Sequence, residues 1–365
     1  MIKVMIVDDT IIYRKILKDV LLTIEDTEVI ATAPNGKIAL KKIETNKPDL
    51  ILLDVEMPVM DGLETLIEIK KRYPEIGVIM VSGINERQAN ITLKALENGA
   101  VDFVAKPIGN KLAENVAYLT DNLTPIIKMF QSKKDRKTRI TKRIIPHRTA
   151  KDVTSKPATP GILNKTRVPV KFDVLVVGVS TGGPNALAEF IPRLPKKLGV
   201  PVLLVQHMPP MFTKSLANHL NAKSAIEVVE ASDSESILPD KVYIAPGGKH
   251  MVLRVDQKTK KPIIGIIDTP PVNSCKPSVD VLFQSISQYY KGNILSLIMT
   301  GMGSDGKNGV KKLKRIGCYS VAQSEKSCVV YGMPRAVVDE NLADEVVDLK
   351  NLASRISELI TKVKH

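Results

Sequence analysis

The stretch that decides the fold is residues 172–187, FDVLVVGVSTGGPNAL. Its apolar run at 174–179 predicts a buried strand, and the residues after the paired glycines predict the start of a helix. Between these two elements, residues 178–182 fit the pattern G-x-S-x-G, which can expose a serine on a sharp strand-to-helix turn. Ser180 is therefore a candidate nucleophile, with a phosphate-binding loop and an ordinary glycine turn as the alternatives.

Residues 171–365 continue the alternation of strand and helix that this stretch begins. Strands are predicted at 173–179, 200–206, 241–245, 293–300 and 318–322, and helices at 184–193, 212–221, 278–290 and 307–315. A polar turn inside residues 250–267 predicts a β-hairpin. The pattern predicts a mostly parallel, Rossmann-like α/β domain to which this hairpin is attached.

Polar groups suited to acyl transfer follow three of these strands. Ser180 follows the first strand, His207 follows the second, and Asp305 follows a later one. Because the carboxyl ends of parallel strands meet at one edge of a sheet, the three side chains are expected to converge there. An imidazole can take the serine proton while a carboxylate orients the ring, so we predict a catalytic triad. The order along the chain differs from the Ser-Asp-His order of α/β-hydrolases, so the pattern favours the chemistry without that fold.

Two alternatives compete with this prediction. Residues 301–306 fit the dinucleotide-binding pattern G-x-G-x-x-G, which would indicate a nucleotide-dependent enzyme. Asp305 argues against it, since its carboxylate would stand where the pyrophosphate should bind. His250, in the motif APGGKHM, is the other histidine that can line the site.

Residues 1–124 show a second set of alternating patterns. Strands are predicted at 2–7, 28–33, 50–54, 78–82 and 101–105, with amphipathic helices between them, for example at 11–24 and 86–97. Five such units predict a five-stranded, parallel, doubly wound sheet of the flavodoxin-like type.

The strand ends of this N-terminal sheet carry acids, a hydroxyl and an amine. Asp8 and Asp9 follow the first strand, Asp54 ends the third, Ser82 ends the fourth and Lys106 follows the fifth. Crowded carboxylates repel one another unless a hard cation shares them, and Mg²⁺ prefers oxygen ligands. An aspartate can itself accept a phosphoryl group, whose oxygens would suit the amine and the hydroxyl.

The charge of the chain is concentrated in one segment. The net charge is +14, and residues 131–171 alone hold 13 Lys and Arg against 2 Asp and Glu. This proline-containing segment predicts an extended linker, either merely solvated or in contact with an acidic partner or anionic lipid. A regulator that binds nucleic acid through the segment is the rival interpretation. No helix-turn-helix pattern and no interleaved aromatic residues support that rival, so no nucleic-acid partner is expected.

The chain lacks the features of an exported or membrane-spanning protein. No apolar run reaches 18 residues, and the N-terminal MIKVMIVDDT carries paired acids, which argues against a span and a signal peptide. The cysteines Cys275, Cys318 and Cys328 lack metal-type spacing, and the last two are expected in the core. We therefore expect a cytoplasmic, reduced and monomeric protein.

Four motifs of the first domain carry a family resemblance: VDD (7–9), LLDVEMPVMDG (52–62), VSG (81–83) and DFVAKP (102–107). They resemble the receiver domain of two-component response regulators. The resemblance implies that a histidine kinase phosphorylates Asp54. It implies the following Mg²⁺ ligands: Asp8, Asp9, Asp54 and the backbone carbonyl of Glu56. It also implies a switch that responds to the phosphoryl group, formed by Ser82, Phe103 and Lys106.

Motifs of the second domain carry another resemblance, among them VVGVSTGGPNAL, LLVQHMPPMFTKSLANHLN, LIMTGMGSDGKNG and SCVVYGMPRAV. They are similar to the catalytic domain of chemotaxis protein-glutamate methylesterases. The resemblance implies hydrolysis of γ-glutamyl methyl esters on chemoreceptors, deamidation of specific receptor glutamines, and no cofactor for the esterase chemistry. It implies oxyanion donors at the N–H groups of Met302 and His207, with Thr181 lining the site. The pair Cys275-Lys276 departs from the family, which often has His-Arg there.

These patterns predict three regions: a receiver at 1–124, a basic linker at 125–170 and a methylesterase domain at 171–365. The predicted partners are the cytoplasmic helices of chemoreceptors and a chemotaxis histidine kinase. We expect the unphosphorylated receiver to cover the Ser180 cleft, and phosphorylation of Asp54 to open it.

Overall fold

The computed structural model describes residues 1–107, 109, 111–142, 161–162, 169, 171–290 and 293–361. The chain forms two compact units, Met1–Thr159 and Pro160–His365. The finer boundaries predicted at residues 124 and 170 stay predictions. His147, in the predicted linker, and the terminal His365 lie outside the described residues.

The first unit is a parallel sheet with intervening helices. Its elements are β1 (Ile2–Val7), α1 (Ile11–Leu22), β2 (Thr27–Ala33), α2 (Gly36–Asn46), β3 (Leu50–Asp54), α3 (Gly62–Arg72), β4 (Gly77–Ser82), α4 (Glu86–Glu97), β5 (Asp102–Ala105) and α5 (Leu112–Lys142). The strand order is β2-β1-β3-β4-β5, and each neighbouring pair is parallel. The predicted flavodoxin-like fold is confirmed.

Local sequence signals account for these elements. Strands β3 and β4 are buried along their whole length, which matches their continuous apolar runs. Helix α3 begins with a capping box, in which Asp61 accepts from the Glu64 N–H and the Glu64 side chain accepts from the Asp61 N–H. Asn35 and Asn85 cap α2 and α4 in the same chemical way, through one side-chain oxygen each.

Helix α5 extends further than the sequence analysis predicts. It continues through Pro125 to Lys142, so the first part of the predicted linker is helical. The physical reason lies in the core-facing residues of α5, which recur at helical spacing across residue 124: Leu119, Leu123, Ile126 and Ile127. Most of the remaining predicted linker, 143–160, 163–168 and 170, lies outside the described residues.

The second unit contains a larger sheet and a separate hairpin. Its elements are β6 (Gly161–Ile162), β7 (Val174–Val179), α6 (Gly183–Phe190), β8 (Val202–Gln206), α7 (Phe212–Lys223), β9 (Glu227–Glu230), β10 (Lys241–Ile244), β11 (His250–Val255), β12 (Pro262–Ile267), α8 (Val279–Tyr289), β13 (Ile294–Ile298), α9 (Lys307–Lys314), β14 (Tyr319–Gln323), α10 (Met333–Asp339), β15 (Glu345–Val347) and α11 (Leu349–Thr361). The sheet order is β6-β15-β14-β13-β7-β8-β10-β9, and β11 pairs with β12.

This topology positions the predicted catalytic residues. All neighbouring strands of the large sheet are parallel except β6, which is antiparallel to β15. The chain winds outward from β7 through β8 in one direction and from β13 through β14 in the other. A crevice therefore opens at the carboxyl ends of β7 and its two neighbours, where α/β proteins bind ligands.

The predicted Rossmann-like domain with its hairpin is confirmed, but three short strands were missed. Strand β9 stands at one edge of the sheet, and β15 and β6 stand at the other. The outermost strands β9 and β6 pair on one side only and tolerate polar residues such as the glutamates at the two ends of β9. Strand β15 has only three residues, so the apolar signal of all three strands is weak. Among the described residues, no helix has the length and apolar character needed to cross a bilayer.

A buried ion pair joins the last helix to the large sheet. Glu345 on β15 is 1% exposed, and it accepts hydrogen bonds from Arg355 Nε at 2.7 Å and Nη2 at 2.6 Å. The Tyr319 hydroxyl on β14 donates to the same carboxylate at 2.6 Å. This geometry is the bidentate form in which arginine binds a carboxylate most strongly.

We predict that Arg355→Ala destabilises the second unit, because it leaves a buried carboxylate without its cation. The expected loss is about 2–3 kcal/mol, which corresponds to a fall of about 4–12 °C in the Tm of that unit. Arg335→Ala is the matched control, since Arg335 pairs with Asp339 at the surface, where the two side chains are 67% and 60% exposed. Differential scanning calorimetry that gives equal Tm values for the two variants would contradict the prediction.

Candidate functional site

The acids predicted at the strand ends of the first unit lie together. Asp8 and Asp54 are buried and Asp9 is exposed, and carboxylate oxygens of the three lie within 4.8 Å of one another. Lys106 Nζ lies 2.8 Å from Asp8 Oδ2 and 2.8 Å from Asp54 Oδ2. One ammonium thus offsets two buried carboxylates, and the oxygen donors suit the ligand preference of Mg²⁺.

The environment of Asp54 perturbs its protonation. Burial raises the pKa of the Asp54 carboxyl to about 6, although the neighbouring Lys106 ammonium opposes the rise. Burial lowers the pKa of Lys106, but Asp54 and Asp8 outweigh it and raise that pKa. Asp54 Oδ1 accepts from the Val55 N–H at 2.8 Å, so both carboxylate oxygens have donors. Asp54 is therefore a poorly solvated and well oriented carboxylate.

The residues predicted as a switch lie on two adjacent strands, β4 and β5. Ser82 is buried, and its hydroxyl accepts a hydrogen bond from Thr92 Oγ1 at 2.8 Å. Phe103 is half-buried and lies opposite Met80 in the register of the two strands. The Glu56 side chain accepts a hydrogen bond from Gln88 Nε2 at 2.6 Å. The role of the Glu56 backbone carbonyl as a Mg²⁺ ligand stays a prediction.

In the second unit, Ser180 lies on the turn between β7 and α6, as predicted. Its N–H donates to the Thr300 carbonyl at 3.0 Å, and its own carbonyl accepts from the Gly183 N–H at 2.7 Å. Gly182 has φ +72°, and a Cβ there would stand 2.4 Å from the side chain of Val329. Glycine is thus required both by the backbone conformation and by the available space. The turn leaves Ser180 half-buried at the carboxyl edge of the sheet.

His207 and Asp305 are in direct contact. His207 Nε2 lies 2.9 Å from Asp305 Oδ2, and the two side chains are 12% and 2% exposed. Because Nε2 faces the carboxylate, Nδ1 is the ring nitrogen that remains for another partner. Among the residues that the structure describes, no hydrogen bond joins the Ser180 hydroxyl to His207. Catalytic hydrogen bonds are often long or absent before substrate binds, so the missing bond does not exclude His207 as the base for Ser180.

The Asp305 carboxylate is held by the N-terminus of α8 and the loop before it. The N–H of Val279 donates to Oδ2 at 2.6 Å, and the N–H of Asp280 donates to Oδ1 at 3.2 Å. Asn273 Nδ2 and Ser278 Oγ donate to Oδ1 at 2.8 Å and 2.9 Å. A helix N-terminus favours an anion, so this arrangement stabilises the charged carboxylate.

These contacts set the charge of the pair. Burial would raise the pKa of the Asp305 carboxyl, but hydrogen bonds from His207, Asn273 and the Val279 N–H outweigh burial and lower it. Burial would lower the pKa of His207, but its hydrogen bonds to Asp305 and Cys275 outweigh burial and raise it to about 9. At neutral pH this pKa favours the imidazolium beside a carboxylate that stays ionised, so His207 can accept a proton only in its neutral form, whose share rises with pH.

Cys275 contacts the ring nitrogen that faces away from Asp305. Its Sγ lies 3.4 Å from His207 Nδ1, and the residue is half-buried. The sequence patterns predict no role at this site for Cys275, Asn273 or Ser278. The one signal that could have found this contact is the departure from the family at Cys275-Lys276.

His250, the alternative histidine, does not take part in this cluster. It is fully buried, its Nδ1 accepts from the Ser278 N–H at 3.1 Å, and its Nε2 lies 3.1 Å from the Pro270 carbonyl. Both ring nitrogens therefore have backbone partners. His250 supports the segment that carries Ser278, and Ser278 in turn donates to Asp305.

One of the two expected oxyanion donors is already engaged. The His207 N–H donates to the Val179 carbonyl at 3.2 Å within the sheet, so the prediction for this N–H is wrong. The cause is the parallel pairing of β7 with β8, which continues one residue beyond β8. Met302 is 43% exposed on the loop after β13, and Thr181 is half-buried next to Ser180. In the described part of the chain, the N–H groups of Met302 and Thr181 have no hydrogen-bond acceptor.

The three thiols are expected to differ in reactivity. Burial raises the pKa of the Cys318 and Cys328 thiols to about 12 each. The thiolate is the reactive species, and only about 10⁻⁴ of either thiol is ionised at about pH 8, so both should react slowly. Iodoacetamide should therefore label Cys275 first in the native protein, as read by peptide mass spectrometry. Equal labelling rates for Cys275 and Cys328 would contradict this, and the urea-unfolded chain is the control in which all three react.

Comparisons with known proteins agree with this geometry. Residues 175–356 match the CheB methylesterase family model, and residues 4–117 match the response regulator receiver domain model. The protein-glutamate methylesterase/protein-glutamine glutaminase of Desulfotalea psychrophila is 46% identical over 97% of both chains, and the Bacillus subtilis protein of that name is 41% identical over 99% of both.

A solved structure covers the second unit. The Thermotoga maritima CheB methylesterase catalytic domain aligns with 52% of this chain and 99% of its own length, at 39% identity and a TM-score of 0.50. The two matched models follow the order of the two units. The chain therefore belongs to the CheB methylesterase family, in the form that carries an N-terminal response regulator receiver domain.

Proposed function

We propose that the chain removes γ-methyl esters from glutamates of methyl-accepting chemotaxis receptors and deamidates specific receptor glutamines, under the control of phosphorylation at Asp54. Relatives that are similar over their full length carry the name protein-glutamate methylesterase/protein-glutamine glutaminase. The observation that carries the proposal is the 2.9 Å contact between His207 and Asp305 at the strand ends next to the Ser180 turn. These are the groups that acyl transfer needs.

In the proposed first step, Ser180 Oγ attacks the ester carbonyl carbon. His207 Nδ1 accepts the hydroxyl proton, because Nε2 is occupied by its contact with Asp305. The carboxylate fixes the ring orientation and stabilises the imidazolium that forms. The same proton then passes from Nδ1 to the departing methoxide, and methanol leaves.

The tetrahedral intermediate needs donors for its oxyanion. The His207 N–H is committed to Val179, so we assign this role to the N–H groups of Met302 and Thr181. One such donor contributes about 3–4 kcal/mol in comparable hydrolases. Water then attacks the acyl-enzyme with His207 as its base, which releases glutamate. A glutamine follows the same path, with ammonia as the leaving group.

The receiver supplies the proposed control. Asp8, Asp9, Asp54 and the Glu56 carbonyl would hold Mg²⁺, which neutralises phosphoryl oxygens when bound. A carboxylate oxygen of Asp54 attacks the phosphorus of a phosphohistidine in the kinase, the phosphorus–nitrogen bond breaks, and the kinase histidine leaves. Lys106 then pairs with a phosphoryl oxygen in place of the Asp54 carboxylate, and the new acceptor offers a partner for the Ser82 hydroxyl.

We predict that Ser180→Ala lowers methanol release from methylated receptor membranes by about 10⁵-fold, because it removes the nucleophile. Cys275→Ala is the informative comparison, since Cys275 is the other potential nucleophile beside His207 Nδ1. It should retain methanol release within about tenfold. The reverse result, with Ser180→Ala active and Cys275→Ala inactive, would replace the proposed serine mechanism with a thiol mechanism.

We also predict that Asp54→Asn abolishes both phosphorylation of the chain and the rise in methanol release that a phosphoryl donor produces. Asp19→Asn makes the same chemical change at an exposed carboxylate on α1 and should retain both. Acetyl phosphate with Mg²⁺ serves as the donor, and intact-protein mass spectrometry measures phosphorylation. A phosphoryl-dependent rise that persists in Asp54→Asn would contradict the proposed control.

A further inference from the structure

We propose that His207 and Cys275 form a binding site for a thiophilic divalent cation, represented by Zn²⁺, inside the catalytic centre. The group of His207, Cys275 and Asp305 offers ligand atoms that lie within 4.8 Å of one another. Imidazole nitrogen and thiolate sulfur are the ligands that zinc prefers. Cys275 also lies where the chain departs from its family, so the esterase mechanism does not account for it.

The distance between the two donor atoms suits a single tetrahedral metal. His207 Nδ1 and Cys275 Sγ are 3.4 Å apart. With a Zn–N bond of about 2.0 Å and a Zn–S bond of about 2.3 Å, two tetrahedral ligands stand about 3.5 Å apart. The spacing of the two donor atoms therefore matches a single metal that stands beside the line joining them, after loss of the thiol proton and of any proton on Nδ1.

Asp305 would orient the ligand and not bind the metal itself. Its Oδ2 takes His207 Nε2 and the Val279 N–H, and its Oδ1 takes Asn273, Ser278 and the Asp280 N–H. Both oxygens are thus committed to donors. A histidine whose far nitrogen donates to a carboxylate is the usual arrangement behind a zinc ligand, because it fixes the ring and makes it more basic.

The site is accessible and would remain open. The His207 side chain is 12% exposed and Cys275 is half-buried, so neither residue is sealed in the core. The adjacent Lys276 forms an ion pair with Asp268, which reduces the repulsion between its ammonium and a metal. Two protein ligands leave the other tetrahedral positions to water. A metal on Nδ1 would block the proton acceptor that Ser180 needs and so inhibit the esterase. This inhibition rests on the proposed function, whereas the metal binding itself is independent of it.

The test uses Co²⁺ as a spectroscopic probe on the full-length protein. Excess Mg²⁺ is present so that the carboxylates of Asp8, Asp9 and Asp54 do not compete for cobalt. We expect one Co²⁺ per chain with a thiolate-to-cobalt charge-transfer band, and Zn²⁺ should abolish this band by displacement. Cys275→Ser and His207→Gln should lack the band. Cys328→Ser removes the other half-buried thiol and should keep it.

The activity measurement distinguishes the metal site from its consequence. At a Zn²⁺ concentration about ten times the dissociation constant from the cobalt displacement, methanol release should fall about tenfold in the unaltered protein. The ratio of rates with and without Zn²⁺ should stay near one in Cys275→Ala. Absence of the cobalt band, or its persistence in Cys275→Ser, would overturn the site. A cobalt band together with full methanol release under Zn²⁺ would overturn the assignment of Nδ1 as the base. If the protein releases no methanol at all, the cobalt band alone still decides whether the metal site exists.

Discussion

The buried carboxylate of Asp305 is the constraint on which the catalytic unit depends. A carboxylate that is 3% exposed is stable as an anion only if donors satisfy its oxygens. Those donors come from the end of β8, from the loop at 273–278 and from the first turn of α8. All three segments must therefore meet at one point, and the carboxyl edge beside β7 is where the parallel sheet brings them together. The orientation of His207 follows from this requirement, because its Nε2 supplies one of the donors.

The first unit satisfies buried carboxylates in a different way, and the difference fits a different chemistry. Asp54 and Asp8 share the ammonium of one lysine, whereas Asp305 receives fixed backbone and side-chain donors. Burial raises the pKa of Asp54 to about 6 although the lysine opposes the rise, whereas the donors around Asp305 outweigh burial and lower its pKa. A lysine can move with a new anionic group, but a helix N-terminus cannot. Asp54 is thus suited to being modified and Asp305 to staying unchanged.

The sequence predicted the parts of this molecule that follow from regular patterns. Continuous apolar runs predicted the central strands. The rule that polar residues at the carboxyl ends of parallel strands converge predicted that His207 lies close to Asp305. Edge strands such as Glu227–Glu230 escaped because a strand paired on one side needs little apolar character. The full length of α5 was not predicted, because the proline and the many charges favoured a linker over the helix that four apolar residues at helical spacing indicate. The contact of Cys275 with His207 depends on the path of a loop that has no period, so only the departure from the family at Cys275-Lys276 pointed to this position.

The oxyanion donors show most clearly how a correct fold can still mislead about a site. Resemblance placed one donor at the His207 N–H, yet parallel pairing of β7 with β8 requires a donor for the Val179 carbonyl at that same position. A backbone N–H makes one good hydrogen bond at a time, so it cannot serve the sheet and an oxyanion together. The proposed donors Thr181 and Met302 follow β7 and β13 on turns, where no ladder engages their N–H groups. In the proposed site, the oxyanion would thus be held by residues that lie beyond the last ladder bond of each strand.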